Sequence, residues 1–321
     1  MSVMMGDKRM IVIGGSIYKQ TQEGPYSFMN VVHDCGLEFF GVPYLDEQER
    51  MPLQDRHPAL QWMYTYVDHH QRLAQQENTD PRAHLIGAGG AWFRFGYDLF
   101  TIRDNANLQA RLKTRLLNVQ GFQGARHELA VAAMCVAAGF ELNFEDEDDN
   151  SGKHAEFIGT DKLTGAKIAV EAKSRHRRGV KGFSGGRNIL PGQEVGIRGS
   201  VLEGFKKNSL LPSYVFVDVN LPPAPDEDTY QRWLLEIDQT MSDLAAEGYA
   251  DPSPVNAVFF MNDPSHYLLR EQIGKSGDNL WFKHYEANIP RVPHPAADMV
   301  KRLSDAFTAR VAPPDEFPDF Q

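Results

Sequence analysis

Three residues in one short stretch have the types and spacing for hydrolytic chemistry. Within Lys153 to Lys173, read KHAEFIGTDKLTGAKIAVEAK, Glu156 stands in HAEFI, and Glu171 and Lys173 stand two apart in KIAVEAK. β-Branched residues bounded by turn formers predict two strands, HAEFI and KIAVEAK, with a turn at Thr164-Gly165. Strand side chains alternate between faces, so Glu171 and Lys173 share one face while Val170 and Ala172 take the other. Glu156 is likewise opposite in parity to Ala155 and Phe157, and neighbouring strands would bring all three charged groups to one point. Two carboxylates and an ammonium gathered on a sheet are costly without a function, although Glu171 and Lys173 alone also fit a surface ladder pair. Such carboxylates suit a hard cation, Mg2+ or Mn2+, which acidifies an attacking water and neutralises charge on phosphoryl oxygens. Lys173 would orient or deprotonate that water, or stabilise the charge that develops.

The segment that follows has the opposite charge from the rest of the chain. From Lys173 through Arg198 there are seven Lys or Arg, one Glu and six glycines, in a protein of net charge -10. Glycine lets a backbone approach a phosphate, and arginine gives forked hydrogen bonds to its oxygens. Arg175, Arg177, Arg178, Lys181 and Arg187 are therefore candidate nucleic-acid contacts on a mobile loop; a solubilising loop is the competing reading.

These residues need elements to position them. FQGARHELAVAAMCVAAGF, from Phe122, predicts a helix stopped by Gly139, with Glu128 on the flank of a stripe of Ala125, Leu129, Ala132 and Val136, followed by the strand FELNF. Beyond the basic loop, the pattern predicts a helix over 198–210, the strand SYVFVDVNL, a long amphipathic helix over 226–248 and the strand NAVFFMN. Ahead of Phe122 the chain reads as mostly helical after a short buried strand at 9–15. It contains an amphipathic helix from His57 and a basic one over 105–118 with Leu108, Leu112 and Leu116 inward.

Other motifs carry less. Asp68, His69 and His70 read as a solvated helix face, because adjacent helical residues point about 100° apart. Gly87-Ala88-Gly89-Gly90 has Trp92 in place of the third glycine of a dinucleotide loop and no strong helix opening there. The acidic run Glu145 to Asp149 departs from a calcium loop at Ser151 and Phe157 and reads as a solvated hairpin loop. Gly274-Lys275-Ser276 lacks the leading glycine of a phosphate loop.

With 321 residues and 42% hydrophobic content, the chain can bury one large core or two modest ones. Two cysteines, Cys35 and Cys135, point to a reducing compartment, and no apolar run is long enough for a signal or a span, so a cytoplasmic protein without membrane contact is expected. The division expected is a recognition or assembly region at 1–119, pairing with a second copy or another protein, a catalytic domain at 120–311, and a proline-rich acidic tail at 312–321.

The succession helix, strand, strand, strand, helix, strand from Phe122 to Leu221, with Glu156 in HAEF and Glu171-Ala172-Lys173 in VEAK, resembles the PD-(D/E)xK nuclease superfamily over about a third of the chain. The resemblance implies an α/β restriction-endonuclease-like fold, a mixed sheet flanked by helices. It implies a Mg2+- or Mn2+-dependent nuclease acting on DNA, with Glu156, Glu171 and the backbone carbonyl of Ala172 as metal ligands, Lys173 at the reacting water, and Glu128 completing the site. Ala155-Glu156 replaces the usual proline-aspartate pair. That departure leaves open a module of the same fold that has lost catalysis and binds nucleic acid or scaffolds a partner complex.

Overall fold

A computed structural model of the chain describes residues 2–5, 8–13, 16–19, 27–75, 85–144, 155–184, 194–207, 210–273 and 281–311. Three short strands, β1 (Ser2–Met5), β2 (Lys8–Ile13) and β3 (Ser16–Lys19), form an antiparallel sheet in chain order. Five helices follow: α1 (Phe28–Phe40), α2 (Val42–Glu49), α3 (Pro58–Ala74), α4 (Gly87–Thr101) and α5 (Ala106–Leu117). The rest is α6 (Phe122–Ala137), β4 (Phe140–Phe144), β5 (Phe157–Asp161), β6 (Lys167–Ser174), α7 (Arg198–Phe205), β7 (Ser213–Asp218), α8 (Glu227–Leu244), β8 (Ala257–Asn262), β9 (Trp281–Glu286) and α9 (Met299–Val311).

Strands β4 to β9 form one six-stranded sheet in chain order. β6, β7 and β8 run parallel, joined by crossovers that carry α7 and α8, while β4, β5 and β9 complete the sheet in antiparallel pairings. The fold is thus mixed α/β, with helices on both faces. Period-two alternation explains the layering: Tyr214 and Phe216 of β7 and Phe259 of β8 enter a core shared with α1, α3 to α6 and α9, whereas Val215, Val217, Val258 and Phe260 enter a second core with α7 and α8. Among the described residues no helix is long and apolar enough to cross a membrane.

Helix α6 is the hinge of the site. Its short side chains at Ala125, Ala130, Ala132 and Ala133 are all buried, which lets it lie close between β6 and the helices α4 and α9. It ends at Gly139, whose φ of 92° suits glycine. Helix α5 docks beside it through Leu108, Leu112 and Leu116, none more than 1% exposed. Asn105 caps α5 by accepting from Leu108 N at 3.0 Å and donates from Nδ2 to Leu142 O of β4 at 2.7 Å.

Several expectations need correction. The first strand of the hairpin that carries the candidate residues begins at Phe157, leaving His154 outside the described residues and Glu156 in a bend ahead of the ladder. The turn falls at Thr164-Gly165 as expected, within the loop from Asp161 to Lys167: Asp161 Oδ1 accepts from Leu163 N (2.8 Å) and Thr164 N (3.2 Å), an Asx turn, and Gly165 takes a φ of 73°. A helix does open at Gly87, because α4 is almost wholly buried and its glycines are sites of close approach: a Cβ on Gly96 would lie 2.3 Å from Val32 O. The helix after the basic loop stops at Phe205 and not at Leu210. The acidic run at 145–149, the Gly274-Lys275-Ser276 segment and the tail at 312–321 lie outside the described residues.

Candidate functional site

The candidate chemistry gathers where β6 runs past β5. The last β5–β6 pair is Phe157 with Val170, so Glu171, Ala172 and Lys173 extend beyond it, flanked by Val215, Phe216 and Val217 of β7. Glu171 is buried, 3% exposed, and its Oε2 accepts from the backbone N of Glu156 at 3.2 Å. The bend that keeps Glu156 off the ladder is what frees its N–H for this bond. On the same strand face, as parity dictates, Lys173 Nζ lies 2.6 Å from Glu171 Oε1. Lys207 Nζ, just after α7, stands 3.6 Å from that oxygen.

Glu128 approaches from α6, on the other side of β6. Its side chain is buried, and its Oε1 accepts from Arg115 Nη2 at 2.6 Å, while Arg115 Nη1 donates to Glu156 Oε1. The guanidinium of α5 therefore bridges two carboxylates expected at a metal. Glu128 Oε2 is buried without a hydrogen-bond partner. His176 packs against Gly124, one turn before Glu128.

Burial and charge set the protonation states. Burial raises the pKa of Glu128 well above the carboxylate range, and the nearby Glu156 raises it further, against the pull of Arg115. Burial also raises Glu171, opposed by Lys173 and Lys207. For Lys173 burial works against the charged form, but Glu171 more than offsets it and the pKa rises. Lys173 is accordingly a firmly held cation.

The donor set suits a hard cation, namely three carboxylates, one with an unpartnered buried oxygen, and a strand carbonyl at Ala172. Among the described residues, however, no group of three or more His, Cys, Asp or Glu side chains is drawn together tightly enough to hold a metal ion as it stands. Arg115 fills the space between Glu128 and Glu156.

The basic loop is more tightly folded than its composition suggests. Gly179 N donates to Phe183 O at 2.8 Å, and Gln123 of α6 binds the chain from both sides, donating to Arg177 O (2.7 Å) and accepting from Arg177 N (2.9 Å). Two of its cations turn inward, contrary to expectation. Arg177 is buried and donates to Asn220 O (2.5 Å) and Val219 O (3.2 Å), satisfying carbonyls left open where β7 ends. Lys181 faces Asp218 at 3.6 Å with a side chain only 7% exposed. Arg175 donates to Val195 O, Arg178 is exposed, and Arg187 lies outside the described residues.

The pattern of the 105–118 helix singles out only its inward leucines, and nothing in the sequence marks Arg115 or Lys207. Their meeting with Glu128, Glu156 and Glu171 depends on how α5 docks on α6 and where α7 ends, which no local pattern encodes. No family model, curated protein or solved structure matches the chain.

Proposed function

We propose that this chain is a metal-dependent nuclease of the PD-(D/E)xK type, hydrolysing phosphodiester bonds in DNA. The observation that carries the reading is the convergence of Glu128, Glu156, Glu171 and Lys173 at one end of the sheet, from a helix, a bend and a strand, with a buried acceptor at Glu128 Oε2. The order α6, β4, β5, β6, α7, β7 supports it. Glu156, Glu171 and the Ala172 carbonyl would hold Mg2+ or Mn2+, with Glu128 completing the set; the ion would supply Lewis acidity toward the phosphoryl oxygens and the attacking water.

The protonation states narrow the roles. Lys173, held charged by Glu171, is a poor base; it stabilises negative charge on the phosphoryl group and orients the water. Glu128, whose pKa is raised toward neutrality, can hold and release a proton. Arg178, which is exposed, would be the loop cation that meets a phosphate.

A second reading has its own observation. Arg115 already supplies a cation between Glu128 and Glu156, which fits a module that has given up the metal and binds nucleic acid or scaffolds a partner. A screen of DNA and RNA substrates with Mg2+ or Mn2+, with and without chelator, separates the two. Under the nuclease reading, the unmodified protein cuts, chelator stops it, and Lys173→Ala loses about 100-fold or more in rate while keeping its DNA affinity. Absence of cleavage with any divalent metal would leave the scaffold reading.

A further inference from the structure

One cation reaches the carboxylates from outside both β6 and the basic loop. Lys207 follows α7, and its Nζ stands 3.6 Å from Glu171 Oε1, the oxygen that Lys173 Nζ approaches to 2.6 Å from the strand itself. The backbone sets this approach. Gly204, the penultimate residue of α7, packs so closely on β7 that a Cβ there would lie 2.7 Å from Val215 Cγ1, and Lys207 N turns back to donate to Gly204 O at 3.1 Å. A side chain at 204 would force the end of α7 away from the sheet, and Lys207 with it. Val215 pairs with Glu171 and Val217 with Lys173, and both valines enter the core beneath α7 and α8. Lys207 therefore comes down on the face of β6 that carries Glu171 and Lys173, whereas Glu128 and Arg115 come from the α6 side.

At 3.6 Å the contact with Glu171 is one of charge and not a hydrogen bond. An ammonium has three donors, so Lys207 can take a further acceptor in addition to the contacts it already makes. Its side chain is 27% exposed, and a flexible four-carbon stem lets the head group follow an acceptor that arrives from solvent. A nucleic acid brings such acceptors on every linkage of its backbone. A phosphate that reaches Lys173 arrives beside Lys207 as well, because both ammonium groups stand within 3.6 Å of one oxygen atom.

We propose that Lys207 is a contact for a backbone phosphate of the nucleic acid, on the α7 flank of the carboxylate cluster. The inference rests on the reading of that cluster as a nuclease site, and adds that the strand runs over the α7 side of β6. The contact is to the backbone and so serves every base sequence alike.

The test measures binding of the full chain to a fluorescent DNA duplex by anisotropy, with chelator present, between about 50 and 200 mM sodium chloride. Each phosphate neutralised on a duplex contributes about 0.9 to the slope of log affinity against log salt. Lys207→Ala is expected to weaken binding at low salt and to make that slope shallower by about 0.9, and Lys207→Arg to keep both. A residue that only props Glu171 would lower the thermal midpoint of Lys207→Ala and leave the slope alone, a result that overturns the proposal. Should Lys207→Ala fail to fold, Lys207→Gln, which keeps most of the stem, is read for the same change of slope. A parallel cleavage assay with Mg2+ or Mn2+ separates this inference from the reading beneath it. Cleavage by the unmodified chain together with an unchanged slope in Lys207→Ala overturns the role of Lys207 alone. A slope that depends on Lys207 without any cleavage overturns the nuclease reading and upholds the phosphate contact, and a chain that binds no DNA overturns both.

Discussion

At the scale of residues, the side chain with most influence on the site is one that its own helix gives no reason to single out. Arg115 is 40% exposed, yet its fork joins Glu128 and Glu156, and a divalent cation must displace it from at least one of them. A charge-assisted hydrogen bond of this kind is worth about 1.5–3 kcal/mol, so Arg115→Ala is expected to tighten Mn2+ binding by roughly 10–100-fold. Calorimetric or spin-resonance titration with Mn2+ reads this directly, and an unchanged affinity would mean that ion and guanidinium do not compete. His127 gives a separate prediction. Burial lowers its pKa from 6.5 to about 4 while its ring bonds Phe216 O at 3.1 Å. A base whose folded pKa is depressed contributes stability that is present above pH 6.5 and is lost as pH falls toward 4. The loss is on the order of 3 kcal/mol for this group. Urea midpoints between pH 7 and pH 4 should fall, and His127→Gln should flatten that fall; a parallel fall in both proteins would assign the acid sensitivity elsewhere.

Elements differed in how legible they were, and the differences have physical causes. Helix α6 and strands β4, β6, β7 and β8 follow from periodicity, because their burial is one-sided or complete and their ends carry glycine or proline signals. Glu171 and Lys173 were legible for the same reason, since strand parity alone puts them on one face. Strand β5 runs on to Asp161, past the HAEFI segment, because Asp161, paired with Arg302 at 2.6 Å, opens the turn with its carboxylate, and the ladder with β6 extends up to it. Strand β9 and helix α9 went unread; WFKHYE alternates only partly, and α9 buries Leu303 and Phe307 against elements distant in sequence. Helix α4 was obscured by its glycines, which local propensity counts against a helix and tertiary packing requires. Gly96→Ala tests this: a methyl group 2.3 Å from the carbonyl of Val32 must push α1 and α4 apart, where a solvent-facing helical glycine would gain stability from alanine. The expected loss is about 1–3 kcal/mol in denaturant unfolding, and a stabilised variant would show that the two helices do not approach so closely.

The whole molecule is organised by a core that crosses the boundary at residue 119. Phe122, the first residue of α6, is surrounded by His57 (4.7 Å between ring centroids), Trp62 (5.7 Å) and Phe95 (6.3 Å), all from the amino-terminal helices. Arg126 reaches Asp98 across the same boundary, and Glu128 and Glu156 depend on Arg115. A fragment beginning at residue 120 would keep the sheet and the face covered by α7 and α8, but would expose the opposite core. It would also leave the buried guanidinium pair of Arg126 and Arg310 without its carboxylate, Asp98, a break that costs about 3–5 kcal/mol by itself. That is a large share of the 5–15 kcal/mol by which domains are usually stable, before any lost apolar contact is counted. Residues 120–321 expressed alone are therefore expected to be compact but loosely packed, with far-ultraviolet dichroism retained, near-ultraviolet dichroism weak, a hydrophobic dye bound and no sharp thermal transition. Co-expression of residues 1–119 should restore the transition. A fragment that unfolds cooperatively without that partner would make the amino-terminal helices an appendage, and would separate the carboxylate cluster from any need for Arg115.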